Sequence, residues 1–222
     1  MNSSIDLSKE PYINVAKKER ILLMLDLETL STEHNAAILS IGITTLVTNS
    51  SQRPQSFYVK INPAEVSKPL YGFDISHDTM EWWKNQDAET RDEAFSGSST
   101  VYESLTGLSN WITGITEGKD FLIFGNGATF DLTILRNAFD TLNIPVPYTG
   151  FQEHCYRTIK TMFPVIYEHA VNSIPRTGKH NALEDARWQA RVLEEIALTL
   201  LDAHGVDLWE QVDFRDREGI LE

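Results

Sequence analysis

Four acidic side chains in the sequence stand where hydrophobic segments end or turn. Asp26 and Glu28 lie in "ILLMLDLET", Asp131 lies in "IFGNGATFDLTIL", and Asp185 lies in "KHNALEDARWQA". Because side chains along a strand alternate between its faces, Asp26 and Glu28 share one face, and Leu27 points the opposite way. Neighbouring carboxylates repel each other, so this pairing costs free energy unless a cation lies between them.

Each acid, taken alone, also has an ordinary structural explanation. Carboxylates are common at wet strand ends, and Asp131 at a helix start is stabilised by the positive end of the helix dipole. His180 and Asp185 fit equally well on a solvated helix surface. Gly125 and Gly127 allow another molecule to approach the backbone closely, but the Lys-Ser/Thr pair of a P-loop is absent, which excludes that motif.

Taken together, the four acids fit one kind of chemistry. Hard divalent cations such as Mg²⁺ prefer carboxylate oxygens. Two such ions, ~3.5–4 Å apart, can flank a scissile phosphate and need about four carboxylates from separate segments. A base must also take a proton from the attacking water, and histidine suits that task because its pKa lies near neutrality. We therefore predict Asp26, Glu28, Asp131 and Asp185 as metal ligands, and His180 as the base.

The first segments that must position these residues are strands. Three β-rich segments with short connections predict an antiparallel meander. They are "RILLMLDLE", residues 36–47 and residues 56–61, with Asn49, Ser50 and Ser51 in the second connection. A further buried strand is predicted for "DFLIFG", which immediately precedes the segment that carries Asp131.

Helical spacing of apolar residues follows in the later part of the chain. The segments are residues 76–86, 98–115, 130–139, 156–169 and 181–204. Ser76 is a predicted N-cap, Pro164 interrupts its helix, and Gly205 ends the last one. Strands followed by helix–strand–helix units predict an α/β fold, in which a mixed β-sheet is flanked by helices and strand ends from distant sequence meet at one edge.

Composition and length predict one domain at residues 19–222, preceded by a flexible polar leader at residues 1–18. Cys155 is the single cysteine, so an intrachain disulfide is impossible and a reducing cytoplasm is favoured. The start has no apolar signal region, and no apolar run approaches the ~20 residues of a membrane helix. We expect a cytoplasmic protein with no membrane partner.

The formal charge of −13 argues against broad electrostatic wrapping of nucleic acid, which needs basic surface. It does not exclude a nuclease, because carboxylate-bound metal ions supply local positive charge. The charge therefore disfavours a DNA-binding scaffold more than an enzyme that acts on nucleic acid.

The order D-x-E, a distant Asp, then H-x-x-x-x-D resembles the DEDDh group of 3′–5′ exonucleases. "LDLET" is similar to the first motif, "GNGATFD" to the second as found in oligoribonuclease-type members, and "HNALEDA" to the third. The similarity extends over about residues 21–200. It implies an RNase H-like fold, a mixed sheet with an antiparallel meander and parallel strands, and hydrolysis of single-stranded DNA or RNA from the 3′ end. It also implies release of nucleoside 5′-monophosphates with two Mg²⁺ or Mn²⁺ ions as cofactors.

A narrower resemblance is carried by "MEWWKNQ" at residues 80–86. This stretch is similar to one in the bacteriophage exonuclease A (DexA) branch and its bacterial and prophage relatives, which implies a phage or prophage protein. Those relatives are small domains without a polymerase. By analogy with the family, a homodimer is conceivable.

Residues beside the motifs are predicted to bind substrate. Trp82 and Trp83 are aromatic residues that could stack on a terminal base, although a tryptophan pair on an amphipathic helix commonly places at least one ring in the core. Phe130, beside Asp131, is likewise predicted either to stack on a base or to pack in the core. The resemblance places backbone contacts and an apolar wedge for the terminal nucleotide after the first motif. The predicted contacts there are Leu27, Thr29 and Leu30. Asn126, in the second motif, is predicted either to hydrogen-bond the substrate or to shape the turn.

Two alternatives remain open from sequence. An RNase H-like endonuclease or Holliday-junction resolvase shares clustered acids, and a catalytically silent nucleic-acid-binding or partner-binding module could retain the fold. The choice between RNA and DNA depends on contacts to the 2′-hydroxyl, and no residue in the sequence identifies one.

Overall fold

We describe the protein from a computed structural model. The structure describes residues 20–47, 53–176, 178, 180–205 and 207–208. The predicted leader at residues 1–18 and the predicted turn at residues 49–51 lie outside the described residues.

A five-stranded sheet forms the centre of the fold, in the spatial order β3-β2-β1-β4-β5. The strands are β1 (Ile21–Thr29), β2 (Ile38–Thr45), β3 (Ser56–Lys60), β4 (Phe121–Gly125) and β5 (Glu153–Cys155). Strands β1, β2 and β3 pair antiparallel, whereas β4 runs parallel to β1 and β5 parallel to β4. The predicted meander and mixed sheet are confirmed.

The helices of the described residues cover both faces of this sheet. They are α1 (Pro63–Val66), α2 (His77–Lys84), α3 (Ala88–Phe95), α4 (Val101–Thr116), α5 (Thr133–Thr141), α6 (Tyr156–Met162), α7 (Pro164–Ser173) and α8 (Ala182–His204). Ser76 caps α2 through its side chain, and Gly205 ends α8 in the left-handed conformation, as predicted. Pro164 is the first residue of α7 and separates it from α6.

Several local features differ from the sequence predictions. Helix α4 begins at Val101 instead of Ser98, because Thr100 and Glu103 form a capping box there. The segment predicted as one helix from Phe130 begins as a π-helical turn, Ala128–Leu132, before α5. Strand β5 and helix α3 were not predicted, since β5 has three residues and α3 has little hydrophobic periodicity.

The central strand β1 is buried on both faces and so divides the core in two. Leu23 and Leu25 pack on one face with residues of α2, α4 and α5. Leu22 and Met24 pack on the other face, against α8 and residues of α6 and α7. Helices therefore form layers on both sides of the sheet. Among the described residues, no helix has both the length and the apolar character that crossing a membrane requires.

Candidate active site

The end of β1 places Asp26 and Glu28 on the face that is covered by α8. Leu22 and Met24 precede them on this face, whereas Leu27 continues the opposite face and enters the core there. The predicted alternation is therefore observed. The β1–β2 register shifts between Glu28 and Thr29, so the regular pairing ends where the two carboxylates lie.

Asp131 reaches the same region from the π-helical turn after β4. Its carboxylate Oδ2 accepts the backbone N–H of Gly127 at 3.1 Å, and its own N–H donates to the Gly127 carbonyl at 3.0 Å. A Cβ on Gly125 would lie 3.0 Å from the Asp131 Cβ, so glycine leaves room for the acid. The sequence predicts space for an approaching molecule at Gly125, whereas in the structure the protein's own Asp131 fills this space.

Helix α8 brings Asp185 to β1 through a close approach between its first turn and β2. A Cβ on Gly42 would overlap the backbone of Ala182 and Leu183, so only glycine permits this packing. Asp185 is 5% exposed, and its Oδ2 accepts the backbone N–H of His180 at 3.1 Å. The aspartate thereby holds the loop that carries the predicted base.

His180 has the left-handed backbone conformation, with φ of 60°. This conformation is uncommon for a residue with a side chain and persists only where surrounding contacts enforce it. The imidazole ring packs edge-on against Trp82, with 4.8 Å between ring centroids. His180 is partly buried, so it lies at the rim of the acidic cluster and not on a fully solvated surface.

The pKa values show that the acids share one site. Burial and then the charges of Asp131, Glu28 and Asp185 raise the pKa of Asp26 well above its usual range. Burial, followed by the charges of Asp185 and Asp131, raises the pKa of Glu28 to about 8. Burial raises the pKa of Asp131 to about 6, although hydrogen bonds from the Gly127 backbone and its neighbours oppose the shift. The structure thus brings together all four predicted acids.

These donors fit divalent cations. Oxygens of buried carboxylates that repel one another are the ligands that Mg²⁺ and Mn²⁺ prefer, and a bound cation would remove the repulsion. Ligand atoms of Glu28, His180 and Asp185 lie within 4.8 Å of one another. A guanidinium supplies part of this compensation in the structure, since Arg176 Nη2 lies 2.7 Å from Asp185 Oδ1 and lowers the pKa of Glu28.

Two pockets open beside the acids. The larger pocket has a volume of about 730 Å³ and is lined by Leu27, Glu28, Thr29, Ser31, Thr32, Glu33, Asp74, Ser76, Asp78, Thr79, Trp82, Trp83 and Phe130. The smaller pocket has a volume of about 310 Å³ and is lined by Asp26, Leu27, Thr32, Asn126, Phe130, Asp131 and Arg157. Leu27, Thr32 and Phe130 line both pockets, so they lie between the two spaces.

The predicted substrate-binding residues fall into different environments. Trp82 is 41% exposed and can present its ring to a ligand. Trp83 is 1% exposed, and its Nε1 donates to the Thr29 carbonyl at 2.9 Å, so its role is to fix the end of β1 and not to form a stacking surface. Leu30 is 2% exposed and packs in the core, which leaves it poorly placed to act as a wedge.

Thr29 and Asn126 each have a partner within the protein. The Thr29 hydroxyl donates to the Ser31 carbonyl at 2.7 Å, and the residue lines the larger pocket. Asn126 Oδ1 accepts from Lys160 Nζ at 2.8 Å, and the residue lines the smaller pocket. Both lie beside the acids, and their contacts with substrate remain predictions.

Sequence reasoning missed the polar partners of the acids. Gln189 donates from Nε2 to Asp26 Oδ1 at 2.7 Å, and it lies one helical turn after Asp185. The i, i+4 spacing of Asp185 and Gln189 on a predicted helix is a signal that could have identified it. Arg176 and Arg157 lie outside the motifs, and no sequence pattern distinguishes them from other surface cations.

The strand order and the mixed pairing define an RNase H-like fold, and the four acids meet beside β1. Residues 22–197 match the model of the 3′-5′ exoribonuclease Rv2179c-like domain, and the chain belongs to that family. It is therefore a 3′–5′ exonuclease domain. The narrower resemblance to the DexA branch is not confirmed and stays a prediction.

Solved structures share this fold at low sequence identity. The nuclease domain of 3′hExo, a DEDDh family member bound to rAMP, is 14% identical with a TM-score of 0.56, over 82% of this chain and 92% of that one. Escherichia coli exonuclease I in complex with a dT13 oligonucleotide is 14% identical with a TM-score of 0.57, over 84% of this chain and 43% of that one. The present chain thus spans less than half of exonuclease I. No curated protein matches the sequence significantly.

Proposed function

We propose that the protein removes nucleotides one at a time from the 3′ end of single-stranded nucleic acid and releases nucleoside 5′-monophosphates. One observation carries this proposal: acidic side chains from separate segments of the chain converge at one site. They are Asp26, Glu28, Asp131 and Asp185. Each acid except Asp26 is almost fully buried. Such a cluster is unfavourable without cations and therefore supports a metal-binding role.

The four acids are the proposed ligands of two Mg²⁺ or Mn²⁺ ions. When bound, these ions supply positive charge to the scissile phosphate and favour ionisation of the attacking water. His180 lies at the rim of the cluster and accepts the proton of that water. Gln189 holds Asp26, and the Gly127 backbone holds Asp131, so both carboxylates are oriented before substrate arrives.

The two pockets suit the two nucleotides that flank the scissile bond. In an in-line displacement the leaving 3′ oxygen points away from the attacking water. His180 packs against Trp82, which lines the larger pocket, whereas Asp26 and Asp131 line the smaller pocket. The 3′-terminal nucleotide therefore occupies the larger pocket, with Trp82 beside its base, and the leaving nucleotide occupies the smaller pocket.

RNA is the proposed preferred substrate. The family to which the chain belongs is described as an exoribonuclease family, and one solved structure of the same fold holds rAMP. Another holds a DNA oligonucleotide, so DNA is a substrate that must be compared directly.

The test is digestion of matched 5′-labelled RNA and DNA oligomers by the wild-type chain with Mg²⁺ or Mn²⁺. A ladder that shortens from the 3′ end, faster for RNA and blocked by a 3′-phosphate, is expected. Asp26→Asn and Asp185→Asn should each reduce the rate at least ~100-fold while the fold is retained. Glu184→Gln is the matched control, because Glu184 pairs with Arg187 on the helix surface beside Asp185.

The nuclease assay and a metal titration separate the exonuclease from the endonuclease and from the silent binding module. Cleavage of a circular single strand would indicate an endonuclease, because an exonuclease has no end from which to start. Absence of Mg²⁺ or Mn²⁺ binding by calorimetry would indicate a silent binding module. Full activity of the Asp26 or Asp185 variant would overturn the site assignment.

The remaining expectations from sequence are part of this proposal. The sequence contains a single cysteine, Cys155, which favours the proposed cytoplasmic location. A phage or prophage origin and a homodimer stay predictions.

A further inference from the structure

Acidic residues and a cation line the smaller pocket together. Arg157, on α6, lines it with Asp26 and Asp131. Its guanidinium lies over Gly127, since a Cβ built on that glycine would be 3.2 Å from Arg157 Nη2. The sequence predicts space for an approaching molecule at Gly127, whereas in the structure Arg157 occupies this space.

A second cation, Lys160, lies close to Arg157 on the same helix. Lys160 lies one turn away from it on α6, and its Nζ is held by Asn126 Oδ1 and packs over the ring of Tyr156, 4.7 Å from the centroid. Burial, and then the positive charge of Arg157, lowers the pKa of Lys160. The two positive charges are therefore close together at one edge of the site.

Among the described residues, two arginines near the sheet have a carboxylate partner of a kind that Arg157 lacks. Arg20 pairs with Asp120, and Arg136 pairs with Glu153. Within the part of the chain that the structure describes, Arg157 is exposed and forms no ion pair. In a protein with a formal charge of −13, a cation of this kind beside the leaving-nucleotide pocket is available to an anion from the substrate.

The proposed direction of the substrate identifies that anion. The leaving nucleotide occupies the smaller pocket, and its 3′ oxygen faces Asp26 and Asp131. The next group along the backbone is the phosphate on the 5′ side of this nucleotide. An arginine fork suits a phosphate because its N–H groups match the phosphate oxygens in a bidentate geometry.

We propose that Arg157, which lies against Gly127 one helical turn from Lys160, binds the phosphate on the 5′ side of the leaving nucleotide. This inference depends on the proposed function. It defines a minimal substrate: a dinucleotide with a free 5′-hydroxyl lacks the phosphate that Arg157 contacts. A 5′-phosphorylated dinucleotide and a trinucleotide both carry it.

The experiment compares kcat/KM for dinucleotides with and without a 5′-phosphate, and for the trinucleotide. The wild-type protein should prefer the phosphorylated dinucleotide by about tenfold or more, the effect of a charge-assisted hydrogen bond. Arg157→Ala should abolish this preference, and Arg157→Lys should retain part of it. Arg53→Ala is the matched control, because Arg53 is exposed and lines neither pocket.

Binding measured without metal supplies a readout that is independent of catalysis. Fluorescence anisotropy of a labelled oligonucleotide in EDTA should show that Arg157→Ala weakens affinity and reduces the slope of log K against log salt by about 0.7. Circular dichroism checks that the variant is folded.

The outcomes separate the two proposals. An active wild-type enzyme that ignores the 5′-phosphate, or an Arg157→Ala variant that keeps the preference, overturns the role of Arg157 and leaves the exonuclease intact. A wild-type protein that cleaves none of the substrates overturns the proposed function. Independently of catalysis, an Arg157→Ala variant whose salt slope in EDTA equals that of the wild-type protein also overturns the phosphate contact.

Discussion

The side-chain amide of Gln189 donates to Asp26 Oδ1 across 2.7 Å and so connects α8 directly to β1. The contact joins residues that are 163 positions apart in the chain. It lowers the pKa of Asp26, whereas burial and the neighbouring acids raise it. Gln189 Oε1 is buried and has no hydrogen-bond partner among the described residues. The amide therefore orients one carboxylate oxygen and leaves the other available to a cation.

Replacement of Gln189 by leucine should weaken metal binding without removing a ligand. Loss of a hydrogen bond to a ligand carboxylate typically costs 10–100-fold in affinity or activity. Calorimetric titration with Mn²⁺ measures the effect, and Gln55→Leu is the control, since Gln55 is exposed. Unchanged affinity in a folded Gln189→Leu variant would show that Asp26 does not need this contact.

His180→Asn should reduce kcat by about 10²–10⁴-fold, the usual contribution of a general base. With metal at a saturating concentration, so that protonation of the ligand carboxylates does not limit the rate, the wild-type pH–rate profile should fall on the acidic side as the imidazole becomes protonated. The variant should lose that limb. Because asparagine also tolerates the left-handed backbone conformation, the loop should keep its shape.

Metal affinity distinguishes two roles for His180. As a base, the residue can be replaced with little change in Mn²⁺ affinity. Its ring nitrogen, however, lies within 4.8 Å of the ligand oxygens of Glu28 and Asp185. A strong loss of affinity in His180→Asn would therefore reassign the histidine from base to metal ligand.

The raised pKa of Glu28 predicts how stability depends on pH. The folded state retains a proton up to about pH 8, whereas the unfolded chain releases it near the ordinary pKa of ~4.3. Between these values the folded state binds more protons, so the free energy of unfolding falls as the pH rises. Thermal unfolding in EDTA should show a lower midpoint at pH 8 than at pH 5.

Glu28→Gln tests the origin of this pH dependence. The glutamine cannot ionise, so the variant should lose part of the decline between pH 5 and 8, while the raised pKa values of Asp26 and Asp131 maintain the rest. In the wild-type protein, metal competes with the proton, and affinity should rise by up to ~tenfold per pH unit over that range. An identical decline in the variant would assign the effect to other groups.

Trp82→Ala should raise KM by about 5–100-fold if its exposed ring stacks on the terminal base, and Trp82→Phe should retain most of the affinity. Steady-state kinetics with a single-stranded oligomer separate KM from kcat. Tyr102→Ala is the control, because Tyr102 is 59% exposed and lines neither pocket. A fall in kcat at constant KM would instead indicate that Trp82 acts by positioning His180.

The sequence by itself determined the acids, their order and the elements that carry them. Strand β1 was predictable because it is a short continuous apolar run, and helix α8 because its apolar residues repeat at helical spacing over many residues. The D-x-E spacing fixed the shared face of Asp26 and Glu28, since alternation along a strand is a local property. Capping by Ser76 and termination at Gly205 are likewise local.

Only the tertiary structure decided which distant groups complete the site. The order of strands places β4 beside β1, and Gly42 lets α8 approach β2, so Asp131 and Asp185 reach Glu28. Neither the burial of Trp83 nor the position of Arg157 at a pocket wall follows from periodicity. The physical reason is that periodicity reports only which face of an element is apolar, whereas contacts between elements depend on how those faces pack together.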